Sequence, residues 1–201
     1  MSQGAARYFH RSHLLSYLSL LAGLIAILSS FEANNLAPAG SLIAFCAFAD
    51  LLDGKFASRF TRSREEKAFG LQLDSLVDAI VFGLAPIACF YSALFFADPT
   101  ARVIWLAAAF FYLLCALTRL GAYNVESDHS RFIGVPTTLA GLIWSSFFFL
   151  KPSIPLSIAL LIGCGLGMVS PIRIARPKMA GMALILGWTA VLIIAHGARS
   201  L

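Results

Sequence analysis

Seven long apolar stretches dominate this chain and leave almost no sequence for a water-soluble domain. They run over roughly residues 13–31, 36–60, 69–96, 101–123, 133–150, 154–169 and 179–195. Each approaches the roughly 20 residues that a helix needs to cross the hydrocarbon core of a bilayer, with the last three at the short end. Apolar and polar residues do not alternate within them, which favours helices over a barrel. The sequence therefore predicts an all-α polytopic membrane helix bundle.

Composition supports a single integral membrane domain over residues 1–201. Only 12% of the residues are charged, whereas soluble domains carry about 25%, and the mean hydropathy is +0.83. These values exclude a disordered chain, a coiled coil and an ordinary soluble globule. The four cysteines lie far apart within apolar stretches. That placement is typical of buried thiols rather than of disulfides or zinc ligands.

Lysines and arginines are distributed unevenly between the two sets of connecting segments. One set contains Arg7, Arg11, Lys55, Arg59, Arg62, Arg64, Lys67, Arg119, Arg131, Arg173, Arg176 and Lys178. The other set contains Arg102, Lys151 and Arg199. The positive-inside rule then places the N-terminus and the ends of the second, fourth and sixth helices in the cytoplasm. The net charge of +5 is thus explained by orientation in an inner or cell membrane, without nucleic acid as a partner.

Four aspartates lie within or at the ends of two neighbouring apolar stretches. Asp50 and Asp53 are at positions i and i+3, and Asp74 and Asp78 are at i and i+4, so each pair shares one helix face. The two helices run antiparallel across a short loop, which places Asp50 level with Asp78 and Asp53 level with Asp74. Charged residues in membrane helices are costly and usually mark function. We therefore expect four carboxylates to converge at one height.

Converging carboxylates repel one another unless cations bind between them. Ligand sets made only of oxygen suit Mg²⁺, Mn²⁺ or Ca²⁺ better than zinc. Two divalent ions about 3.5–4 Å apart are able to clamp the attacking and leaving oxygens of a phosphoryl transfer. Gly54 leaves room for a ligand to approach the first pair. The loop that follows is basic, with Arg59, Arg62, Arg64 and Lys67, so the pattern predicts a phosphate-handling metal site.

The spacing of these residues resembles the signature of the CDP-alcohol phosphatidyltransferases, D-x2-D-G-x2-A-R-x8-G-x3-D-x3-D. Here it reads Asp50-x2-Asp53-Gly54-x2-Ala57 and then Gly70-x3-Asp74-x3-Asp78. Ser58 stands where the signature has arginine, and Arg59 follows one residue later. The interval between the second and third aspartates is also three residues longer than in the signature. Which arginine takes the signature role is left open, with Arg59 the nearest in sequence.

Later segments are similar to the bacterial and archaeal phosphatidylserine synthase branch of that family. The stretch 119–124 resembles its R-L-x-(R/K)-(F/Y)-N segment, and 132–136 resembles its F-I-G-x-P segment. Residues 168–173 resemble the end of its sixth helix. Ala122 replaces a usual basic residue, and Thr138 replaces a usual proline. The resemblance covers a catalytic core of about 12–176 and leaves a seventh helix, about 179–197, beyond the six-helix core.

The resemblance implies an enzyme that transfers a phosphatidyl group from CDP-diacylglycerol to the hydroxyl of serine and releases CMP. Two Mg²⁺ or Mn²⁺ ions are expected as cofactors. By position, Asp50, Asp53, Asp74 and Asp78 would hold the metals, and Asp78 would also be the general base. A hydroxyl is a poor nucleophile until it is deprotonated, which is why such a base is needed.

The resemblance also assigns residues to the two substrates and allows a homodimer in the bilayer. The positions that would contact the CDP-lipid are Gly54, Ala57, Arg59 and Gly70. The acceptor would be bound by Arg119 and Arg131. A planar guanidinium suits bidentate contact with the carboxylate of serine, which favours Arg119 for that role.

Three alternatives stay open at the level of sequence. The first alternative is the same reaction with another acceptor: glycerol 3-phosphate, an inositol phosphate, choline or another amino alcohol. A phosphorylated acceptor needs a cationic pocket, for which the sequence offers Arg119, Arg131, Arg173, Arg176 and Lys178. An ion-coupled transporter is the second, because membrane carboxylates also bind ions, although the acids cluster in one helix pair without a second copy. A purely structural membrane protein is the third, and it leaves the four aspartates unexplained.

Overall fold

The computed structural model describes residues 4–32, 35–126, 131–150, 152–175 and 179–200. Two 3-10 turns, Ala5–Tyr8 and Arg11–His13, precede the first α-helix. The α-helices are α1 (Leu14–Glu32), α2 (Ala37–Ala57), α3 (Arg64–Asp78), α4 (Ala85–Ser92), α5 (Pro99–Val125), α6 (Thr137–Phe147), α7 (Ile154–Val169) and α8 (Met179–Ser200). Two three-residue strands, β1 (Arg131–Ile133) and β2 (Arg173–Ala175), lie in the connections before α6 and α8.

Each of the seven apolar stretches forms a helical segment, so the prediction of an all-α membrane bundle is confirmed. A π-helical turn, Ala79–Leu84, joins α3 to α4 in one continuous helix, Arg64–Ser92. This helix, the segment Arg11–Glu32, α2, α5 and α8 are long and apolar enough to cross a membrane. The sixth stretch forms an apolar helix of 16 residues, α7, and the fifth forms α6 with 11 residues. These two are shorter than a simple span requires.

The start of α3 differs from the predicted boundary near residue 69 because a capping box begins the helix earlier. Ser63 Oγ accepts a hydrogen bond from the backbone N–H of Glu66 at 3.1 Å. The Glu66 carboxylate accepts one from the backbone N–H of Ser63 at 2.7 Å. Both groups satisfy donors that a helix N-terminus otherwise leaves unpaired. Arg64 and Lys67 consequently belong to the first turns of α3 rather than to the loop.

Helix α2 lies at the centre of the bundle and packs against α1, α6 and α8. Small side chains along it, such as Ala39, Ala44 and Ala47, are fully buried and allow close helix approach. At Gly40, an added Cβ would lie 2.5 Å from the ring of His196, so glycine lets α8 pack directly on α2. The four cysteines are free and buried, as the sequence predicts.

The two strands form an antiparallel ribbon that the sequence does not predict. Phe132 on β1 stands opposite Ile174 on β2. The turn after β1 is fixed by Gly134, whose φ of +71° few other residues adopt. Its N–H donates to the carbonyl of Ile172, and the N–H of Val135 donates to the carbonyl of Gly167, both at 2.9 Å. The turn before α6 is therefore anchored to the end of α7 and to the segment that follows it, and α6 starts at residue 137 instead of near 133.

Replacement of Gly134 by alanine should destabilise the protein by about 2 kcal/mol or more. The new Cβ would sit 1.9 Å from the carbonyl oxygen of Met168, in addition to the cost of a positive φ. Thermal unfolding of the purified protein in detergent measures the effect. Gly163→Ala on α7 is the matched control, because an added Cβ there has no described atom within 4 Å. Equal melting temperatures for the two variants would contradict this account of the turn.

Candidate active site

Three aspartates from α2 and α3 meet beside a cavity of about 310 Å³. Carboxylate oxygens of Asp50, Asp74 and Asp78 lie within 4.8 Å of one another. Asp78 is buried, with 8% of its surface exposed, and the other two are half-buried. The i, i+4 spacing on α3 places Asp74 and Asp78 on one face, and antiparallel packing brings Asp50 of α2 to the same level.

Asp53 lies next to this triad but is held toward α1. Its Oδ2 accepts a hydrogen bond from Ser16 Oγ at 3.0 Å. Its Oδ1 is buried and has no hydrogen-bond partner within the described part of the chain. All four aspartates line a space of about 10 Å³ among α1, α2 and α3, close to the volume that one water molecule needs. The structure thus brings three of the predicted carboxylates together and places the fourth at their edge.

Two threonines at the start of α6 hold the aspartates from the other side. Thr138 Oγ1 donates a hydrogen bond to Asp50 Oδ2 at 2.6 Å. Thr137 Oγ1 donates to Asp78 Oδ2 at 3.1 Å and accepts from Arg119 Nη1 at 3.3 Å. Sequence reasoning missed both contacts. The only signal for them is a pair of hydroxyl residues directly after the F-I-G-V-P turn.

Arg119 on α5 brings a positive charge into the same cavity. Its guanidinium carbon lies 5.7 Å from the ring centre of Tyr123 and 5.9 Å from that of Phe132, in cation–π range. Its Nε is buried without a hydrogen-bond partner among residues that the structure describes. Asn124, the last residue of the R-L-x-(R/K)-(F/Y)-N segment, donates from Nδ2 to Ser75 Oγ on α3 at 2.9 Å. That segment therefore fixes α5 beside the acid cluster.

The other basic residues proposed for the acceptor lie differently. Arg173 is exposed on β2, and Arg176 and Lys178 fall outside the described residues. The backbone of Arg131 forms part of β1, while its side chain is also outside the described part. Among the described side chains, Arg119 is thus the one cation that lines the 310 Å³ cavity.

The residues expected to contact the CDP-lipid flank the turn between α2 and α3. Gly54 is exposed, and an added Cβ there has no described atom within 4 Å. Ala57 is buried, with 5% exposed surface, and Arg59 is exposed. Open space beside Gly54 is compatible with a ligand that approaches the backbone closely.

Gly70 lies against a second basic residue, Arg62, and a buried histidine. An added Cβ on Gly70 would be 3.4 Å from Arg62 Nη1 and 2.8 Å from His13 Cε1. Arg62 is half-buried, and its Nε lacks a hydrogen-bond partner in the described ranges. His13 is only 2% exposed, and its Nε2 is likewise unpartnered there. No sequence pattern singles out His13, because its position depends on how the N-terminal turns fold over α3.

The donor chemistry of the acid cluster fits hard divalent cations. Every ligand atom is a carboxylate oxygen, which suits Mg²⁺ or Mn²⁺ and does not suit zinc. Three carboxylates this close repel strongly when ionised in a partly buried site, so bound cations relieve a cost that the fold itself creates.

Comparison with known proteins identifies the family. The sequence profile of the CDP-alcohol phosphatidyltransferases matches residues 9–193. The chain belongs to this family. It is therefore an integral membrane enzyme of the phosphatidyltransferase class, which sets aside the transporter and the purely structural alternatives.

Three relatives place it near enzymes that use serine. The chain is 33% identical over 171 residues to the archaetidylserine synthase of Methanothermobacter thermautotrophicus, with 84% of this chain and 70% of that protein covered. It is 32% identical over 163 residues to the CDP-diacylglycerol–serine O-phosphatidyltransferase of Bacillus subtilis, covering 80% and 86%. It is 31% identical over 160 residues to the enzyme of that name from Mycobacterium bovis, covering 68% of this chain and 53% of that protein. The chain thus spans about half the length of the mycobacterial relative.

Proposed function

We propose that this protein transfers a phosphatidyl group from CDP-diacylglycerol to the hydroxyl of serine, with release of CMP, at the cytoplasmic side of the membrane. The observation that carries the proposal is the cavity in which Asp50, Asp74 and Asp78 face Arg119. Carboxylates suit a diphosphate when divalent cations bind between them, and a single guanidinium suits the carboxylate of a small zwitterion. The name of the Bacillus subtilis relative includes both of these substrates, which supports the proposal.

In this proposal Asp50, Asp74 and Asp78, with Asp53 at their edge, hold two Mg²⁺ or Mn²⁺ ions. When bound, such ions neutralise the diphosphate and the charge that develops on the transferred phosphoryl oxygens. The chain itself fixes the carboxylates: Ser16 holds Asp53, and the two threonines of α6 hold Asp50 and Asp78. Oriented ligands bind metals more tightly than free ones.

Asp78 serves as the general base. Its carboxylate takes the proton of the serine hydroxyl while the hydroxyl oxygen attacks the phosphorus that bears the diacylglycerol. The bond between that phosphorus and the bridging oxygen breaks, and CMP leaves with the bridging oxygen. The new bond is the phosphodiester of the lipid product. Asp78 is suited to this role because it is the most buried member of the triad and borders the cavity.

Arg119 binds the serine carboxylate. One hydroxyl, that of Thr137, contacts both Arg119 and Asp78, so an acceptor held by the arginine has its own hydroxyl near the base. Ala122, which replaces a usual basic residue, lies in a neighbouring groove of about 480 Å³. Ala122 therefore supplies no second cation beside Arg119, which lines both spaces. A phosphorylated acceptor carries more negative charge than Arg119 alone balances, which favours serine.

Arg62, rather than Arg59, contacts the diphosphate of the CDP-lipid. Arg62 reaches the signature residue Gly70, whereas Arg59 is exposed. The longer interval between Asp53 and Asp74 supplies the extra residues that allow Arg62 to fold back onto α3. Gly54, Ala57 and Gly70 border the nucleotide in this arrangement. The concentration of lysines and arginines around this turn supports its placement in the cytoplasm.

The central test is an acceptor panel with the purified protein in detergent, CDP-diacylglycerol and Mn²⁺. Release of CMP should require serine and remain at background with glycerol 3-phosphate, inositol phosphates or choline. Asp78→Asn should lower the rate at least about 100-fold without loss of fold, because the general base is removed. The matched control is Asp98→Asn, since asparagine also caps α5 and Asp98 lies outside the site. CMP release with another alcohol alone would refute serine as acceptor, and full activity of Asp78→Asn would refute the base.

Arg119→Ala should raise the KM for serine about tenfold or more, because a charge-assisted hydrogen bond is lost. The KM for CDP-diacylglycerol should change less than about twofold. Arg119→Lys should fall between the wild type and alanine, since lysine keeps the charge but loses the bidentate geometry. Equal increases of both KM values would indicate a structural role for the arginine.

Arg62→Ala should raise the KM for CDP-diacylglycerol about tenfold, and the exposed Arg59→Ala should change it less than about twofold. The two residues are three positions apart in the same turn, so the pair controls for overall charge. Initial rates at saturating serine give both values. A larger effect of Arg59→Ala would reverse this assignment.

A further inference from the structure

We propose that Thr138 and Thr137 are positioning residues, each of which orients one aspartate of the cluster for a different function. Thr138 orients Asp50 for the divalent cation, and Thr137 couples Asp78 to the acceptor-binding Arg119. The inference rests on the proposed function and extends it to two residues that lie outside the aspartate signature.

The geometry carries the inference. The two hydroxyls reach aspartates on different helices: Thr138 bonds to Asp50 of α2 at 2.6 Å, and Thr137 bonds to Asp78 of α3 at 3.1 Å. Thr137 is fully buried, with 0% exposed surface, while Thr138 lines the cavity. Both contacts use the Oδ2 oxygen. With one oxygen held, the carboxylate no longer turns freely, so the direction of its other oxygen is fixed.

The threonines are themselves held rigidly. They are the first two residues of α6, and the preceding turn is bonded to the end of α7 through Gly134 and Val135. Threonine is branched at Cβ, which restricts its χ1 angle and keeps the hydroxyl in place. The position of the hydroxyls is thus set by the turn that joins α6 to the end of α7 and by the packing of α6 against α2.

The hydrogen bond from Thr138 to Asp50 depends on a residue that differs from the usual one at this position. The phosphatidylserine synthase branch that the later segments resemble usually has proline at this position, and proline has no hydroxyl to donate. The hydroxyl of Thr138 therefore adds a contact to Asp50 that a proline there does not provide. The residue before it, Thr137, has a second contact that Thr138 lacks, namely Arg119 Nη1 at 3.3 Å.

These different partners predict different losses when each hydroxyl is removed. Loss of the Thr138 hydroxyl frees Asp50, so the cation should bind less tightly while serine binds as before. Loss of the Thr137 hydroxyl frees Asp78 and Arg119 from each other, so serine should bind less well. A merely structural role for either residue would lower stability without separating the two effects.

The experiment measures two quantities for Thr138→Val, Thr137→Val and the wild type, all as full-length protein in detergent. The first is the Mn²⁺ concentration at the midpoint of thermal stabilisation, without substrates. The second is the KM for serine. We expect Thr138→Val to raise the Mn²⁺ midpoint about tenfold, as loss of an outer-shell partner does in other metal sites, and to leave the KM within about twofold. Thr137→Val should raise the KM for serine about tenfold and leave the Mn²⁺ midpoint within about twofold. Thr138→Ser should restore the Mn²⁺ midpoint of the wild type.

Several outcomes would overturn the inference. An unchanged Mn²⁺ midpoint in Thr138→Val would remove Thr138 as a support of Asp50, and equal shifts in both variants would remove the division of tasks. If valine lowers the melting temperature in EDTA, Thr138→Ala decides by the same midpoint. The proposed function fails separately: a wild type that releases no CMP with any alcohol, but whose Mn²⁺ midpoint shifts in Thr138→Val, refutes the reaction and supports the positioning role.

Discussion

Mutual repulsion of carboxylates is the constraint on which this structure depends. Asp50, Asp74 and Asp78 hold their oxygens within 4.8 Å of one another in the interior of a membrane bundle, where water screens charge poorly. Hydrogen-bonding contacts hold Asp50, Asp78 and the nearby Asp53, and a bound divalent cation would relieve the remaining repulsion. Hydroxyls from α1 and α6 supply those contacts, so the two helices on either side of the α2–α3 pair are tied to the chemistry through their packing.

The sequence predicts the α2–α3 pair well because its information is local. Spacings of three and four residues place aspartates on one helix face, and a short connection makes the helices antiparallel. The sequence does not predict that Asp53 turns toward Ser16, because that rotamer depends on α1, which lies 37 residues away in sequence. The early start of α3 was accessible to sequence reasoning: Ser63 and Glu66 form an S-x-x-E capping box.

The rest of the cavity wall was harder to predict because it is assembled from distant segments. Arg119 comes from α5, the threonines from α6, and the ribbon of β1 and β2 adds Phe132 and Ile174 to the wall. Each segment has a visible motif, but only tertiary packing brings the motifs together. Gly134 shows how closely the segments fit, since even one methyl group on it would collide with the end of α7.

Helix α8 shows how the polar site is joined to the apolar part of the bundle. Ile185 of α8 lines the same cavity as the aspartates, together with Leu139 and Leu142 of α6. At the other end of α8, buried His196 donates to the carbonyl of Ser145 at 2.8 Å and stacks on Phe149. His196 thus joins α8 to α6 far from the aspartates, while Ile185 of the same helix lines the cavity. A substrate with a charged diphosphate and lipid tails needs a wall of this mixed character. The diphosphate must keep polar partners when it leaves water, and the lipid tails must keep apolar surroundings when they leave the bilayer.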